Sequence, residues 1–507
     1  MTKALPLMFQ GTHSDAGKSV IVTGFCRIFA QDGYLTSPFK SQNMSLNSYI
    51  TIDGKEIGRA QGVQAEAAGI MATTDMNPIL IKPNRETQAQ IVVHGKPYKN
   101  MEAGQYRSEF FHKGLQLIEE SLATLTRTYE RIVIEGAGSP AEVNLNDREM
   151  VNMRVARMAN APVVLIGDIE KGGVFASLVG TLQLLEKEDK DRIIGVIINK
   201  FRGDLKLLEP GLKWFEEYTG KPVLGVVPYL PNLNIDAEDS VILDQYKPDK
   251  NKEKEIDIAV IQYPRISNFT DVDPFFVEDD CHVRFITRAE QLQDPDVIIL
   301  PGSKNTIEDL LFLRESGILD KVLKVYGEKT ALIFGVCGGY QMLGQVIDDP
   351  AGIESQHLKI DGLGLLPLHT TITDYKTTVL SEGDLVYQNQ TMRVKGYEIH
   401  MGETRFMDDC QSLINMGNRN EGCISLDQKV IGTYFHGIFL NDDFRTLLLN
   451  TIRKGKGLDP INDRISFNQL REQAFDRLAD HLRHHVKLDV IEEKMREFQM
   501  KSELVDS

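Results

Sequence analysis

The stretch "LPLMFQGTHSDAGKS", residues 5–19, decides the fold of the first half of the chain. Its apolar start predicts a buried strand, and the glycines with Lys18 and Ser19 predict a loop that leads into a helix. Such a unit binds phosphate because backbone N–H groups at the helix N-terminus point at the anion. Gly11 and Gly17 are one residue further apart than in the usual phosphate-binding loop. The stretch predicts a nucleotide site; the alternative is a glycine turn before a helix.

Polar side chains around this loop have distinct expected roles. Lys18 would contact the outer phosphates of a nucleotide, and the Ser19 hydroxyl would ligate Mg²⁺. Glu135 ends the apolar run "RIVIE" where ligands of open α/β sheets bind, so we expect it to be a second Mg²⁺ ligand. Asn199 ends another such run, where its amide would recognise a base, although Asn there is also a common turn former. The predicted ATP-binding residues are Gly11, Thr12, Asp15, Gly17, Lys18, Ser19 and Asn199.

The composition limits the class of protein. A chain of 507 residues is too long for one ordinary core and predicts two or three domains. Its formal net charge of −16 argues against a nucleic-acid surface, which needs clustered basic residues. Five scattered cysteines without a CxxC pair argue against a zinc site and suit a reducing compartment. The apolar runs are too short to span a membrane, so we expect a soluble cytoplasmic protein without membrane partners.

Short apolar runs that end in glycine-containing turns recur along the chain, among them "RIVIEGAG", "APVVLIGD" and "DVIILPGS". Continuous apolar runs that alternate with helical patterns are typical of parallel strands buried on both faces. We therefore predict an α/β fold with two parallel-sheet domains, residues 1–243 and 257–445. The charged stretch 244–256 is the predicted linker, and residues 446–507 are predicted to form a helical C-terminal extension.

The second half carries "ALIFGVCGGYQMLG" at residues 331–344. Here an apolar run enters a sequence in which Cys337 is flanked by glycines, and small neighbours permit the sharp strand-to-helix turn that exposes a nucleophile. A thiol at a helix N-terminus is also stabilised as the thiolate. The glycines favour this interpretation over a buried structural cysteine, which is the usual fate of a free Cys. We predict that Cys337 is a catalytic nucleophile.

A catalytic cysteine needs a base and donors for the developing oxyanion. The run "TYFHGIF" supplies His436 next to an apolar strand. A lone His there would more often be structural, but together with the nucleophile turn it is the predicted base. The run "ILPGSKNT" is a strand followed by a glycine turn. The predicted oxyanion donors are therefore the backbone N–H groups of the Gly302–Ser303 region and of Gly338.

The first half resembles ATP-dependent amide-forming enzymes related to dethiobiotin synthetase, through "GTHSDAGKS" and "EGAG". Residues 38–69, "MNPILIKP", "GSPAEVNLNDREMVNM" and "DIEKGGVFASLVGT" resemble the cobyric acid synthase family. On composition alone the segment 38–69 would be a loop; the resemblance implies a substrate site. Asp147 is a further catalytic candidate, the alternative being a helix cap. The implied substrate-binding residues are Lys40, Gln42, Asn43 and Asn47.

The second half resembles the class I glutamine amidotransferase domain, in the variant of cobyric and cobyrinic acid amide synthases. The nucleophile turn, "GYEIHMG" and "TYFHGIF" carry this resemblance in the family's order. Most class I glutaminases have Glu two residues after the His, and this chain has Ile438. The third member of the catalytic group therefore stays open, with Glu398, His400 and Glu403 as unranked candidates.

Together the resemblances imply a glutamine-dependent amide ligase of cobalamin biosynthesis that uses ATP and Mg²⁺. Glutamine would supply ammonia, and the corrinoid substrate would be adenosylcobyrinic acid a,c-diamide, amidated at four side chains to give adenosylcobyric acid. One alternative is a cobyrinic acid a,c-diamide synthase, which the segment "KSQNMSLN" argues against. Another is a partition-type ATPase without amidotransfer, which would not explain a fused glutaminase half. The oligomeric state, the order of the amidations and the ammonia route stay open.

Overall fold

The computed structural model describes residues 4–84, 87–235, 251, 253–328, 331–408 and 410–505. It divides into two compact units. The first contains residues 1–45, 56–235 and 471–507, and the second contains residues 46–55 and 236–470. Most of the predicted linker, residues 244–250 and 252, lies outside the described residues.

The elements up to residue 235 include a long run of strands and helices. The strands are Leu5–Gly11 (β1), Thr36–Phe39 (β2), Gln42–Met44 (β3), Ser48–Ile50 (β4), Glu56–Gly58 (β5), Ile79–Pro83 (β6), Gln88–Val93 (β7), Lys96–Glu102 (β8), Arg131–Glu135 (β9), Val163–Asp168 (β10), Ile193–Phe201 (β11) and Val223–Pro228 (β12). The helices are Lys18–Gln31 (α1), Arg59–Ala67 (α2), Ala103–Gln105 (α3), Phe111–Thr128 (α4), Met153–Met158 (α5), Val174–Leu184 (α6), Lys187–Arg192 (α7) and Leu205–Thr219 (α8).

The first unit is built on a parallel sheet in the order β12-β11-β10-β1-β9-β2. Its central strands β9 and β10 are buried along their whole length, as their apolar sequences predict. The chain proceeds from β1 to one side of the sheet and later returns to the other, so the order reverses next to β1. Ligands of open α/β sheets bind at such a switch point, and the loop after β1 lies there.

The elements after residue 250 begin at Ile256. The strands are Ile256–Ile261 (β13), Ile266–Ser267 (β14), Cys281–Ile286 (β15), Val297–Leu300 (β16), Gly302–Ser303 (β17), Leu332–Val336 (β18), Val346–Asp348 (β19), Lys359–Asp361 (β20), Leu368–Tyr387 (β21), Gln390–Phe406 (β22), Gln411–Asn415 (β23), Asn420–Ile424 (β24) and Val430–Thr433 (β25). The helices are Asp273–Phe276 (α9), Ala289–Leu292 (α10), Thr306–Glu315 (α11), Ile318–Gly327 (α12), Gly338–Leu343 (α13), Asp442–Gly455 (α14), Phe467–His485 (α15) and Leu488–Val505 (α16).

The second unit has a mixed sheet in the order β15-β13-β16-β18-β25-β24-β23-β21-β19-β20, with β22 paired to β21. The five strands from β15 to β25 in this order, which are β15, β13, β16, β18 and β25, pair in parallel. Strand β24 pairs antiparallel with both β25 and β23, and β22 pairs antiparallel with β21. The predicted α/β class with two parallel-sheet domains is confirmed, with an antiparallel extension in the second unit. The central strand β18 places the residues after it at the carboxyl edge of the parallel part.

The compact units differ from the predicted domain boundaries in two places. Residues 471–505 pack in the first unit instead of forming a separate extension, because apolar residues of α15 lie against α1. Leu478 and Leu482 contact α1 at Gly24, where a Cβ would overlap Leu482. Residues 46–55 belong to the second unit although they lie inside the predicted first domain. Among the described helices, none is long and apolar enough to cross a membrane.

Candidate functional sites

The glycine loop joins β1 to α1 in the first unit. Gly17 precedes the first residue of α1 with φ 88°, a left-handed conformation that favours glycine. A Cβ at this position would also overlap the Nδ2 atom of Asn199. Asn199 donates this Nδ2 to the carbonyl of Ala16 at 3.0 Å, so it holds the loop backbone. The strand, loop and helix therefore follow the arrangement that the sequence predicts, and recognition of a base by Asn199 stays a prediction.

Lys18 connects the loop to the neighbouring strand. Its Nζ atom donates to the carbonyl of His13 at 3.0 Å and to that of Gly138, in the turn after β9, at 3.4 Å. Asp15 has φ 60°, and its carbonyl accepts from the Nζ of Lys200 at 2.7 Å. The loop is thus held from β9 and from β11. This geometry fits a phosphate cradle with an ammonium group inside it.

Glu135 lies at the centre of a buried polar cluster beside the loop. Its Oε1 accepts from the Ser19 hydroxyl at 2.9 Å and from the Lys40 ammonium at 2.8 Å. Its Oε2 accepts from the Gln64 amide at 2.6 Å. A hydroxyl and a carboxylate that converge at a helix N-terminus are hard oxygen donors of the kind Mg²⁺ takes, so the residues fit the ion. Gln64 was not singled out in the sequence, although it lies in the segment 38–69.

The four predicted substrate residues do not share one environment. Lys40 lies on Glu135, Gln42 accepts from the Tyr106 hydroxyl at 2.5 Å, and Asn43 donates to Gln61 at 3.0 Å. These three belong to the first unit, whereas the buried Asn47 belongs to the second. Their role in substrate binding stays a prediction.

Asp147 lies in a short turn of 3₁₀ helix, Asn146–Arg148. Its side chain is largely exposed and forms an ion pair with Arg107 at 2.6 Å. The residue at the N-cap of the following helix α5 is Asn152 and not Asp147. A catalytic role for Asp147 therefore stays a prediction.

Cys337 lies between β18 and α13, at the sharp turn that the glycines predict. It has φ 53° and ψ −108°, a conformation that few non-glycine residues adopt and that is typical of strained catalytic turns. Its N–H donates to the carbonyl of Thr433 at 2.8 Å, and its Sγ lies 3.4 Å from the carbonyl of Ile399. A Cβ at Gly339 would overlap the carbonyl of Leu300, which explains the glycine there. The turn therefore fixes the thiol at the carboxyl edge of the sheet.

His436 is fully buried and pairs with an aspartate that the sequence did not reveal. Its Nδ1 lies 2.7 Å from Oδ2 of Asp271, whose Oδ1 accepts from the N–H of Gly437 at 2.7 Å. Burial alone would lower the pKa of His436, but the charges of Asp271 and Cys337 and its hydrogen bonds to both raise it to about 10. The imidazole ring of His436 therefore has two side-chain partners: Asp271, at Nδ1, and Cys337.

The carboxylate that contacts His436 is thus Asp271, and the contacts of the three candidates from the sequence lie elsewhere. Glu398 accepts from Ser381 at 2.5 Å and forms an ion pair with Arg419. His400 is 3.6 Å from Glu398 and stacks on Tyr434. Glu403 lies on β22 opposite Thr371. The stretch "NFTD", which ends in Asp271, lies 165 residues before His436, so nothing in the sequence indicates that the two residues are in contact.

The predicted oxyanion region lies against the nucleophile turn. A Cβ at Gly338 would lie 2.8 Å from the backbone nitrogen of Ser303, so the two backbones approach closely. Strand β17 pairs with β14 in the register Ser267↔Gly302, and the N–H of Lys304 donates to Arg265. Alternate residues of an antiparallel ladder bond to the partner strand, so the N–H of Ser303 points away from β14 while that of Gly302 faces it. Ser303 is therefore better placed as a donor than Gly302.

Each half of the chain matches a known protein family. A family model described as the CobQ/CobB/MinD/ParA nucleotide binding domain matches residues 7–242. Another, described as the CobB/CobQ-like glutamine amidotransferase domain, matches residues 257–444. The chain is 67% identical to a cobyric acid synthase of Geobacillus sp. (strain WCH70), over 98% of this chain and 99% of that protein. It is 64% identical to one of Anoxybacillus flavithermus, with the same coverage. The chain belongs to the cobyric acid synthase family, a family of glutamine-dependent amide ligases.

Proposed function

We propose that the protein uses ATP and glutamine to amidate side-chain carboxylates of adenosylcobyrinic acid a,c-diamide, giving adenosylcobyric acid after four amidations. The observation that carries this proposal is the group of Cys337, His436 and Asp271 in a chain that also holds a phosphate loop. The first group suits hydrolysis of a carboxamide, and the loop suits activation of a carboxylate. Neither site alone accounts for both the hydrolysis of a carboxamide and the activation of a carboxylate.

In the glutaminase site, the sulfur of Cys337 forms a bond to the side-chain carbonyl carbon of glutamine. Backbone N–H groups of Gly338 and Ser303 are proposed to stabilise the negative oxygen. His436 gives its proton to the departing nitrogen, which leaves as ammonia with a thioester on Cys337. His436 then takes a proton from water, whose oxygen displaces the sulfur and releases glutamate. Asp271 holds the ring so that Nε2 is the atom that exchanges the proton.

In the synthetase site, the residues of the phosphate loop bind ATP and direct its outer phosphate towards a substrate carboxylate. Ser19 and Glu135 would hold Mg²⁺, which offsets negative charge on the phosphates. Lys18 contacts the same phosphates, and Lys40 supplies positive charge near the incoming carboxylate. The phosphoryl group moves to the carboxylate oxygen and leaves ADP. Ammonia then forms the amide bond, and inorganic phosphate leaves.

The test is to incubate the full chain with ATP, glutamine and the a,c-diamide corrinoid and to follow the product by mass spectrometry. Each step exchanges OH for NH₂, so the number of exchanges is counted directly. Cys337→Ala is expected to lose amidation with glutamine and to retain it with ammonium salts. Cys410→Ala, a cysteine outside the nucleophile turn, is the matched control and keeps both. Product formation from glutamine by Cys337→Ala, or none by the parent chain with either donor, would refute the proposal.

A further inference from the structure

The segment Leu46–Lys55 belongs to the second unit and contains the candidate substrate residue Asn47, whereas Lys40, Gln42 and Asn43 just before it belong to the first unit. Its strand β4 presents the N–H of Ser48 to Oδ1 of Asn268 at 2.8 Å. Its Ile50 packs in a buried apolar cluster with Tyr397 and Ile399. Asn268, Tyr397 and Ile399 each contact His436 or Cys337.

Asn268 is the most direct of these links. It has φ 51°, a left-handed conformation in which Asn is enriched among non-glycine residues. Its Nδ2 lies 3.5 Å from Nε2 of His436. Because the N–H of Ser48 can only donate, it fixes the oxygen end of the Asn268 amide towards the segment. The NH₂ end is thereby turned to His436.

This orientation matters for the proton on His436. Nε2 of the imidazolium is a donor, and an NH₂ group cannot accept from it. Of Asn268 and Cys337, only Cys337 can then accept the proton on Nε2. If the segment moved away, rotation of the Asn268 amide would present Oδ1 to Nε2–H. That oxygen would compete with Cys337 for the proton.

The apolar contacts support the same link. The ring of Tyr397 stacks on that of His436, with centroids 5.1 Å apart and an interplanar angle of 19°. The carbonyl of Ile399 lies 3.4 Å from Sγ of Cys337. Ile50 therefore packs against the residues that flank both the base and the nucleophile.

We propose that the segment Leu46–Lys55 gates the glutaminase, with Asn268 as a positioning residue whose amide orientation is set by the N–H of Ser48. Substrate bound at Asn47, inside the segment, would seat the segment and turn the amide to the productive orientation. This inference rests on the proposed function, because it assigns a regulator to its glutaminase step. It makes glutamine hydrolysis respond to the presence of the acceptor.

The test compares full-length Ser48→Pro, which removes the N–H, and Asn268→Asp, which offers Nε2–H an acceptor. Both are expected to lower kcat for glutamine hydrolysis at least about tenfold, equivalent to one lost hydrogen bond to a charged group. KM for glutamine and amidation with ammonium salts stay near parent values. In Asn268→Asp the rate of Cys337 alkylation by iodoacetamide also falls at neutral pH and its pH profile shifts. Ile52→Ala, on an exposed side chain of the same segment, is the control.

Two results would overturn the inference. One is a folded Asn268→Asp protein with parent-like kcat and alkylation profile. The other is a loss of ammonia-dependent amidation equal to that of glutamine hydrolysis, which would indicate a structural role. If Ser48→Pro does not fold, Asn268→Asp alone decides. A parent chain that hydrolyses no glutamine would refute the proposed function itself.

Discussion

Replacing Asp271 by Asn removes one charge from the catalytic group and keeps its shape. Oδ1 can still accept from the N–H of Gly437, so the turn after His436 keeps its hydrogen bond. The NH₂ group of Asn would then face Nδ1 of His436, which must become an acceptor. The proton moves to Nε2, and the neutral ring can no longer take a proton at the atom that faces Cys337.

The magnitude follows from the pKa of His436. Its rise from 6.5 to about 10 corresponds to roughly 5 kcal/mol in favour of the imidazolium, of which the Asp271 carboxylate supplies a large part. Loss of this charge together with the reversed tautomer is expected to lower kcat for glutamine hydrolysis about 10⁴-fold, the loss that the same change causes in Ser–His–Asp enzymes. In the parent the imidazolium is present at neutral pH and is lost as pH rises through about 10. In the variant it is lost at a lower pH.

The assay measures glutamate release by the full-length variant, together with amidation from ammonium salts and the pH profile of Cys337 alkylation. Ammonia-dependent amidation is expected to stay near the parent value, which shows that the chain is folded. Asp279→Asn, an exposed position, controls for the loss of a charge. A folded Asp271→Asn protein with glutaminase activity within about tenfold of the parent would refute the assignment of Asp271.

Three further predictions concern the first unit. In Gly17→Ala the added Cβ would overlap the Asn199 side chain, and the residue would keep a φ that is unfavourable for alanine. The affinity for ATP, measured by calorimetry, should therefore fall at least about tenfold. An affinity equal to that of the parent would contradict this strain argument. Glu135→Gln should lower ADP formation by about 10² or more while basal glutamine hydrolysis continues; equal ADP formation would exclude a role in holding Mg²⁺. Leu482→Ala removes a buried side chain packed on α1 and should lower the free energy of unfolding of this unit, measured in urea, by about 2–4 kcal/mol; a loss under about 0.5 kcal/mol would contradict this packing.

Features with local causes could be predicted from the sequence. The loop before Lys18 and the turn at Cys337 each need glycines at fixed positions, so their backbone geometry is visible in a short stretch. The parallel strands could be predicted because continuous apolar runs of this length are typical of strands that are buried on both faces. Glu135 was predicted beside Ser19 because adjacent strands end at the same edge of a sheet.

The remaining features depend on contacts between distant residues. Asp271 lies in a short mixed stretch, "NFTDVDPFF", which carries no local sign of its position next to His436 in the folded chain. Residues 46–55 mix polar and apolar side chains without a clear period, so their membership of the second unit has no local signal. The amphipathic helix α15 predicts a buried face but does not say which helix covers it.

The return of residues 471–505 to the first unit has a consequence for synthesis. The apolar side of α1 leaves the ribosome early, but the helix that covers it follows only after residues 236–470 have been made. At about 5–20 residues per second, the delay between synthesis of α1 and of α15 is roughly 20–90 s. During that time the side of α1 that packs against α15 lacks its cover in the nascent chain. Its first unit therefore completes folding only after translation has nearly finished, in contrast to the usual order in which the leading domain folds first.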